Sequence, residues 1–411
     1  MTISIPPDVV QILESLVSNG HEAYVVGGCV RDSIRGATPK DWDITTSALP
    51  KQVAEVFSRT VDTGIKHGTI TVLINRQGYE VTTYRIDGTY LDSRRPQNVT
   101  FTTNIEEDLS RRDFTMNAIA YNPKHGFVDP FDGQRDIGRK IIRCVGNADC
   151  RFEEDALRML RALRFAGQLG FVVDDTALSA IMARRSSLAN ISAERIRDEL
   201  TKLITSHYVE AICLLESTGL LQYAMVGHVF GGNLQATIRL LAECPMQADL
   251  RLAIFLAFSG STCKNIMRDL RFDNKTIKEV SLYVSMLNTT IPHDRYGIKK
   301  ILRFMPQANY NEDPRKATQI YFENLLILQS IVNPNDAKRI ELIKHESRDI
   351  QASKECYTLR DLSINGKDLA AAGIPQGRAI GEKLEELLDV VMRDPMQNTI
   401  LYKYYRENFN V

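Results

Sequence analysis

Two aspartates one residue apart, Asp41 and Asp43 in the run KDWDIT, are the strongest local pointer to chemistry in this 411-residue chain. On a strand, side chains two apart face the same side, so the carboxylates stand together. Like charges that close repel, and the arrangement is stable when a cation lies between them. Hard oxygen donors select Mg²⁺, with Mn²⁺ as the other choice. Two such ions would activate an attacking hydroxyl and neutralise a leaving pyrophosphate. A bare D-x-D is common on solvated surfaces; what distinguishes this one is the glycine turn before it. Val25 and Val26 close a strand, Gly27 and Gly28 let the backbone approach a phosphate, and Cys29 to Ile34, with Arg31 among them, start a helix. Glu80, in YEVTTYR, is placed on a neighbouring strand to complete the metal cage, and an outward-facing strand glutamate is the alternative reading. The chain has no G-x-x-x-x-G-K-[ST] loop, which argues against a P-loop ATPase.

A second constellation lies in Phe152 to Leu169, whose apolar period predicts one helix with Asp155 and Arg158 on the same face. Such a pair offers an acceptor and a fork of donors in one plane. Cytosine and adenine each carry an exocyclic amine beside a ring acceptor, whereas uracil and guanine put carbonyls where those amines would be. An unpaired buried charge costs ~2 kcal/mol or more, enough to discriminate by tens of fold. The bland alternative is an i,i+3 salt bridge worth ~0.3 kcal/mol. Glu154, four residues before Arg158, is spaced to orient its guanidinium, and Arg161 sits on an adjacent polar face within reach of a nucleotide. On the same helical projection Arg164 points away from Asp155. Glu194, Arg195 and Glu199 in ERIRDEL read as braces between helices.

The elements that must position these residues change character along the chain. Residues 1–145 mix helical and strand patterns, with strands expected at Ala23 to Val26, Trp42 to Thr45, Thr69 to Ile74, Tyr79 to Arg85 and Ile119 to Tyr121. From Phe152 onward the period is 3.6 and strand signals nearly vanish. The expected architecture is α+β: a head with a small mixed sheet at 1–145, then all-α segments at 146–210, 211–305 and 306–411. Between two strand-like runs, Asp87 to Asn98 (DGTYLDSRRPQN) is polar and aperiodic and reads as a long mobile loop. His293-Asp294, the sole HD dipeptide, lacks the further ligands of a phosphohydrolase and reads as a loop.

Composition is that of a globular protein, with 44% hydrophobic and 25% charged residues and no apolar run of membrane-spanning length. No secretion signal is apparent at the start, and the expected location is the cytoplasm. The seven cysteines are scattered and never spaced C-x-x-C, so they read as reduced and structural. With 51 basic and 51 acidic residues there is no global field to attract nucleic acid. Any grip on a backbone must be local, and Lys264 to Arg303 carries nine Lys or Arg against four Asp or Glu. Lys264, Arg268, Arg271, Lys275, Lys278, Lys299, Lys300 and Arg303 could track phosphates there; a solvated helix face is the competing reading.

Taken with RRDFTMNAIAYN (Arg111 to Asn122), DPFDG (Asp129 to Gly133), EEDALRMLRALRF (Glu153 to Phe165) and ERIRDEL (Glu194 to Leu200), the GG…DWD element resembles the class II tRNA nucleotidyltransferases, a family that includes bacterial poly(A) polymerases. The resemblance implies a polymerase β-like nucleotidyltransferase head followed by helical neck, body and tail. It implies metal binding by Asp41 and Asp43, with Glu80 in a third acidic position. Arg111, Arg112, Asp113 and Asn117 would handle the triphosphate and recognise ribose, Gly28 and Arg31 would lie at the nucleotide, and Asp155 and Arg158 would read the base. The implied partners are the tRNA 3′ end, CTP and ATP. Addition of the whole CCA end, of CC or A alone, poly(A) synthesis, and a catalytically inert RNA-binding module are the readings to separate. A complete Asp87–Asn98 loop points away from CC addition alone.

Overall fold

The computed structural model describes residues 2–88, 99–259, 262–306 and 313–409. Contacts divide the chain into two units: residues 1–238 with 265–273, and residues 239–264 with 274–411.

In the first unit the apolar run Ala23–Val26, with β-branched Val25 and Val26, forms β1, buried along its whole length. The chain then crosses Gly27, whose φ of +80° suits a residue without a Cβ, into the helix Gly28–Ile34. Next come β2 (Asp43–Thr46), β3 (Thr60–Gly64), β4 (Thr69–Ile74), β5 (Gln77–Thr83), β6 (Arg85–Asp87), β7 (Val99–Phe101), β8 (Ala120–Asn122) and β9 (Gly126–Val128). Seven of them form one sheet in the order β3-β4-β5-β2-β1-β8-β9. The β2–β5 pair is parallel and the rest are antiparallel, so the sheet is mixed. β6 and β7 pair separately. The helix Pro7–Ser18 buries Val9, Ile12, Leu13 and Leu16, the i, i+3, i+4, i+7 stripe of an amphipathic helix. A core of Tyr24, Val26, Tyr84, Ile105, Leu109, Ala118, Ala120 and Val145 backs the sheet where the site lies.

Two expectations need correction. Phe152 to Leu169 is two helices, Ala148–Glu154 and Leu157–Leu169, broken at Asp155, whose backbone is extended (φ −144°, ψ 102°). Asp155 Oδ1 accepts from the backbone N–H of Leu157 (3.1 Å), a local bond that short acidic side chains offer in competition with helix continuation. Strand structure also persists beyond residue 146: Gly170 ends the second helix at φ +67°, and Val172–Val173 then pairs in parallel with Ile141–Ile142. Strand edges shift slightly, with Asp41 and Trp42 preceding β2 and the expected Tyr79–Arg85 strand divided between β5 and β6. Residues 89–98 of the expected loop lie outside the described residues.

The second unit is helical among its described residues, with long helices at Pro314–Val332, Ala337–Ala352 and Arg378–Arg393. Asp294 of the HD dipeptide caps the helix Arg295–Phe304, its Oδ1 accepting from the Gly297 N–H at 2.8 Å. No helix of the described residues is long and apolar enough to cross a membrane.

Candidate nucleotide-binding site

At the end of β2 nearest the glycine turn, Asp43 emerges while Ile44, Thr45 and Thr46 stay buried. Its carboxylate keeps solvent access in an open cleft, yet the surrounding protein lifts its pKa above the ordinary carboxylate value. Arg112 opposes that rise, and the negative charges of Glu80 and Asp41 add to it. Three carboxylates therefore share one electrostatic neighbourhood. The parallel register of β2 on β5, with Ile44 opposite Val81, accounts for the approach of Glu80. An all-oxygen donor set of this charge fits a hard divalent cation. Among the described residues, the trio whose candidate ligand atoms all fall within 4.8 Å of one another lies elsewhere: His345, Glu346 and Asp349. Those side chains sit on a helix surface, where Glu346 is already paired with Arg295 at 2.7 Å.

Beside Asp43 opens a cavity of about 470 Å³, within the usual size range for small-molecule pockets. Its walls hold Gly27, Gly28, Arg31, Asp43, Arg111, Arg112, Asp113, Asn117, Asp155, Arg158 and Arg161, all expected at the site from the sequence, together with Leu157, Arg164, Phe165 and Arg195, which were not. Seven arginines thus face three aspartates, a field suited to a polyanion. Asp41 and Glu80 are outside this wall, as is Glu154.

Each arginine is held by a partner side chain. The side chain of Asp108, fully buried on the helix Ile105–Ser110, accepts from Arg111 Nε and Nη2 (3.0 and 2.7 Å) and from Arg112 Nη2 (3.1 Å). Burial works against its charge, but Arg112 and Arg111 hold its pKa below the ordinary value. It also accepts from Thr45 of β2 at 3.4 Å, tying the arginine pair to the strand that carries Asp43. Arg31 donates to Asn117 Oδ1 (2.7 Å) and by two bonds to Asp32 (2.9 and 3.0 Å). Asn117 donates to Asp113 Oδ1 (3.0 Å), and Arg161 donates twice to Asp113 Oδ2 (2.9 and 2.5 Å). With the Phe114 N–H on Oδ1 at 2.8 Å, all four acceptor positions of Asp113 are taken. Burial opposes its charge, yet Arg161 and Asn117 hold its pKa down at about 2. Asp113 therefore positions Arg161 and Asn117 and has no open lone pair for a ribose hydroxyl.

Arg158 donates to Glu154 (2.7 Å), as the spacing of the two residues suggests, and to the main-chain oxygens of Arg151 (3.3 Å) and Arg111 (3.1 Å). Asp155 pairs with Arg195. The break at Asp155 also explains why Arg164 lines the cavity: a helical projection from Asp155 is out of phase with Leu157–Leu169. Arg164 lies 4.0 Å over the Phe165 ring and pairs with Glu199 at 2.6 Å. Sequence reading missed Asp108, although its i,i+3 and i,i+4 spacing to the two arginines was a usable signal. Phe165 and Arg195 carried none for the cavity.

The basic stretch does not form a uniform surface. Lys264, Arg268, Arg271, Lys275 and Lys300 are exposed. Arg303 is paired with Glu385 at 2.5 Å. Lys299 is 1% exposed, pairs with Glu355 at 2.5 Å and donates to the Met392 carbonyl, so it is a core ion and not a phosphate contact. Helical periodicity puts Lys299 beside the buried Ile298 and Leu302, which is the physical reason it turns inward.

Comparison with known proteins places these features in one group. Residues 23–143 match the Poly A polymerase head domain, residues 170–226 a probable RNA and SrmB-binding site of polymerase A, and residues 246–400 a putative tRNA nucleotidyltransferase domain 2. A CCA-adding enzyme of Geobacillus kaustophilus is 37% identical over 397 residues, covering 94% of this chain and 93% of its own length. One of Geobacillus stearothermophilus is 36% identical over 400 residues, covering 96% and 95%. Among solved structures, a Bacillus stearothermophilus CCA-adding enzyme in complex with CTP superposes with a TM-score of 0.79 at 31% identity, covering 98% of each chain.

Proposed function

This chain belongs to the CCA-adding enzymes, and from that premise we propose that it builds and repairs the 3′-terminal CCA of tRNA from CTP and ATP in the cavity beside Asp43. The observation that carries the reading is the arginine-walled cavity, whose lining brings Asp43 together with Asp155 and Arg158. Its arginines suit a triphosphate, Asp155 and Arg158 suit a base edge, and Asp43 suits a metal at the reacting phosphorus.

The 3′-hydroxyl of the tRNA releases its proton to solvent as its oxygen forms a bond to the α-phosphorus of the bound nucleotide. The bond from that phosphorus to the bridging oxygen breaks, and pyrophosphate leaves. Arg111 and Arg112 grip the triphosphate with guanidinium forks preset by Asp108, and Arg31 and Arg161 flank it. Asn117 faces the ribose while Asp113 fixes its orientation. Asp41 and Asp43, with Glu80 as a third acidic group, are the residues that would hold two Mg²⁺ ions, which would supply charge neutralisation and a more acidic attacking hydroxyl. Asp155 accepts from the exocyclic amine of cytosine or adenine and Arg158 donates to the ring edge, so one pocket serves both bases. The segments 211–305 and 306–411 carry the tRNA body, with the exposed Lys264, Arg268, Arg271, Lys275 and Lys300 as candidate phosphate contacts; Arg303 would first have to give up Glu385.

The test is to offer each labelled nucleotide separately to tRNA lacking CCA, tRNA lacking only the terminal A, and an oligo(A) primer. CTP should extend the first, ATP the second, and the third should stay unextended. Use of ATP alone on every primer would assign the protein to poly(A) synthesis instead.

A further inference from the structure

Asp155 and Arg158 line the same cavity with opposite charges, and a carboxylate and a guanidinium so placed would ordinarily pair with each other. That contact would use up the hydrogen-bonding edges that a base must meet. Among the described residues no ion pair joins them; each has its own counter-ion. Arg158 is engaged by Glu154, while Asp155 is gripped by Arg195 from the helix Ala193–Ile204, Nη1 to Oδ1 at 3.3 Å and Nη2 to Oδ2 at 2.7 Å.

The geometry of the grip is specific. A carboxylate has about four acceptor positions. Leu157 N–H and Arg195 Nη1 occupy those of Oδ1, and Arg195 Nη2 occupies one of Oδ2, leaving a single open position on Oδ2. The terminal torsion of an aspartate is soft and roughly two-fold, so without a fork the carboxylate plane would wander. The planar guanidinium, with two donors in fixed geometry, sets that plane in a way a lysine ammonium cannot. Arg195 itself lines the cavity, and the 14% exposure of Asp155 leaves access for a ligand without flooding the pair with water.

We propose that Arg195 is a specificity-determining positioning residue: its fork holds Asp155 away from Arg158 and aims the one open carboxylate lone pair at the exocyclic amine of the incoming base. The inference rests on the reading of Asp155 as the amine acceptor. It implies that base choice depends on a residue that does not itself touch the base.

Arg195→Gln and Arg195→Lys are compared with the parent enzyme, measuring kcat/KM for CTP and UTP on tRNA lacking CCA and for ATP and GTP on tRNA ending in CC. Arg195→Gln should lower the CTP:UTP and ATP:GTP ratios by about tenfold or more, chiefly through loss with CTP and ATP. Arg195→Lys, which keeps the charge but not the fork, should lie between that variant and the parent. An equal fall with all four nucleotides, or unchanged ratios, would overturn the proposal in favour of a purely structural brace. If Arg195→Gln does not fold, Arg195→Lys decides alone, and parent-like ratios in it would overturn the proposal. Failure of the parent enzyme to prefer CTP on the first primer would defeat the reading of Asp155 and not merely the role of Arg195.

Discussion

Asp113 shows how far single residues here are committed to holding others. Its pKa is pulled from 3.8 down to about 2 by partners that exist only in the fold, so it stabilises the native state above about pH 4 and that stability is lost as pH falls towards 2. Asp113→Asn should therefore lower the melting temperature at pH 7, and the gap between the variant and the parent should close as pH falls from 4 to 2. A gap that does not depend on pH would contradict the assignment. The chemistry-bearing residues should separate cleanly in kinetics. Asp43→Asn should remove transfer of every nucleotide. Asp155→Ala should lower base selection by tens of fold, from the ~2 kcal/mol cost of a mismatched buried charge, and leave part of the transfer rate; equal loss with all four nucleotides would argue against base reading.

Elements place these residues through a few positions that accept only glycine. Gly133 begins the helix Gly133–Arg139, and a Cβ there would lie 2.3 Å from the Thr115 carbonyl oxygen and 2.7 Å from Ile119 Cγ1. Gly133→Ala must push the turn Thr115–Asn117 aside, destabilising the first unit by ~1–3 kcal/mol and raising the KM for nucleotide through Asn117. A parent-like melting temperature would show that the turn yields freely. The same scale explains what the sequence could disclose. β1 and β4 coincide with the expected Ala23–Val26 and Thr69–Ile74 because local runs of β-branched and aromatic residues and the turns beside them specify them. The break at Asp155 was hidden because apolar residues keep their spacing on both sides of it, and a single side-chain bond to Leu157 decides the matter. The Arg195 grip spans 40 residues in sequence, so no local pattern announces it.

Across the whole molecule, charge has to be sorted into ions that hold the fold and ions free to meet RNA, which composition alone cannot do. Lys299 belongs to the first kind: burial works against the charge of Glu355, while Lys299 and Arg295 hold its pKa below the ordinary value. Lys299→Met should cost the second unit ~3 kcal/mol, seen as a lower melting temperature, and leave the salt dependence of tRNA affinity unchanged. A shallower salt slope would instead mark Lys299 as a phosphate contact. The proposed activity makes one defined product. When tRNA lacking CCA is incubated with the enzyme and all four nucleotides, sequencing of the 3′ ends should show CCA added to each extended molecule and growth stopping there. Tails that run past three nucleotides, or that incorporate U and G as freely as C and A, would contradict it.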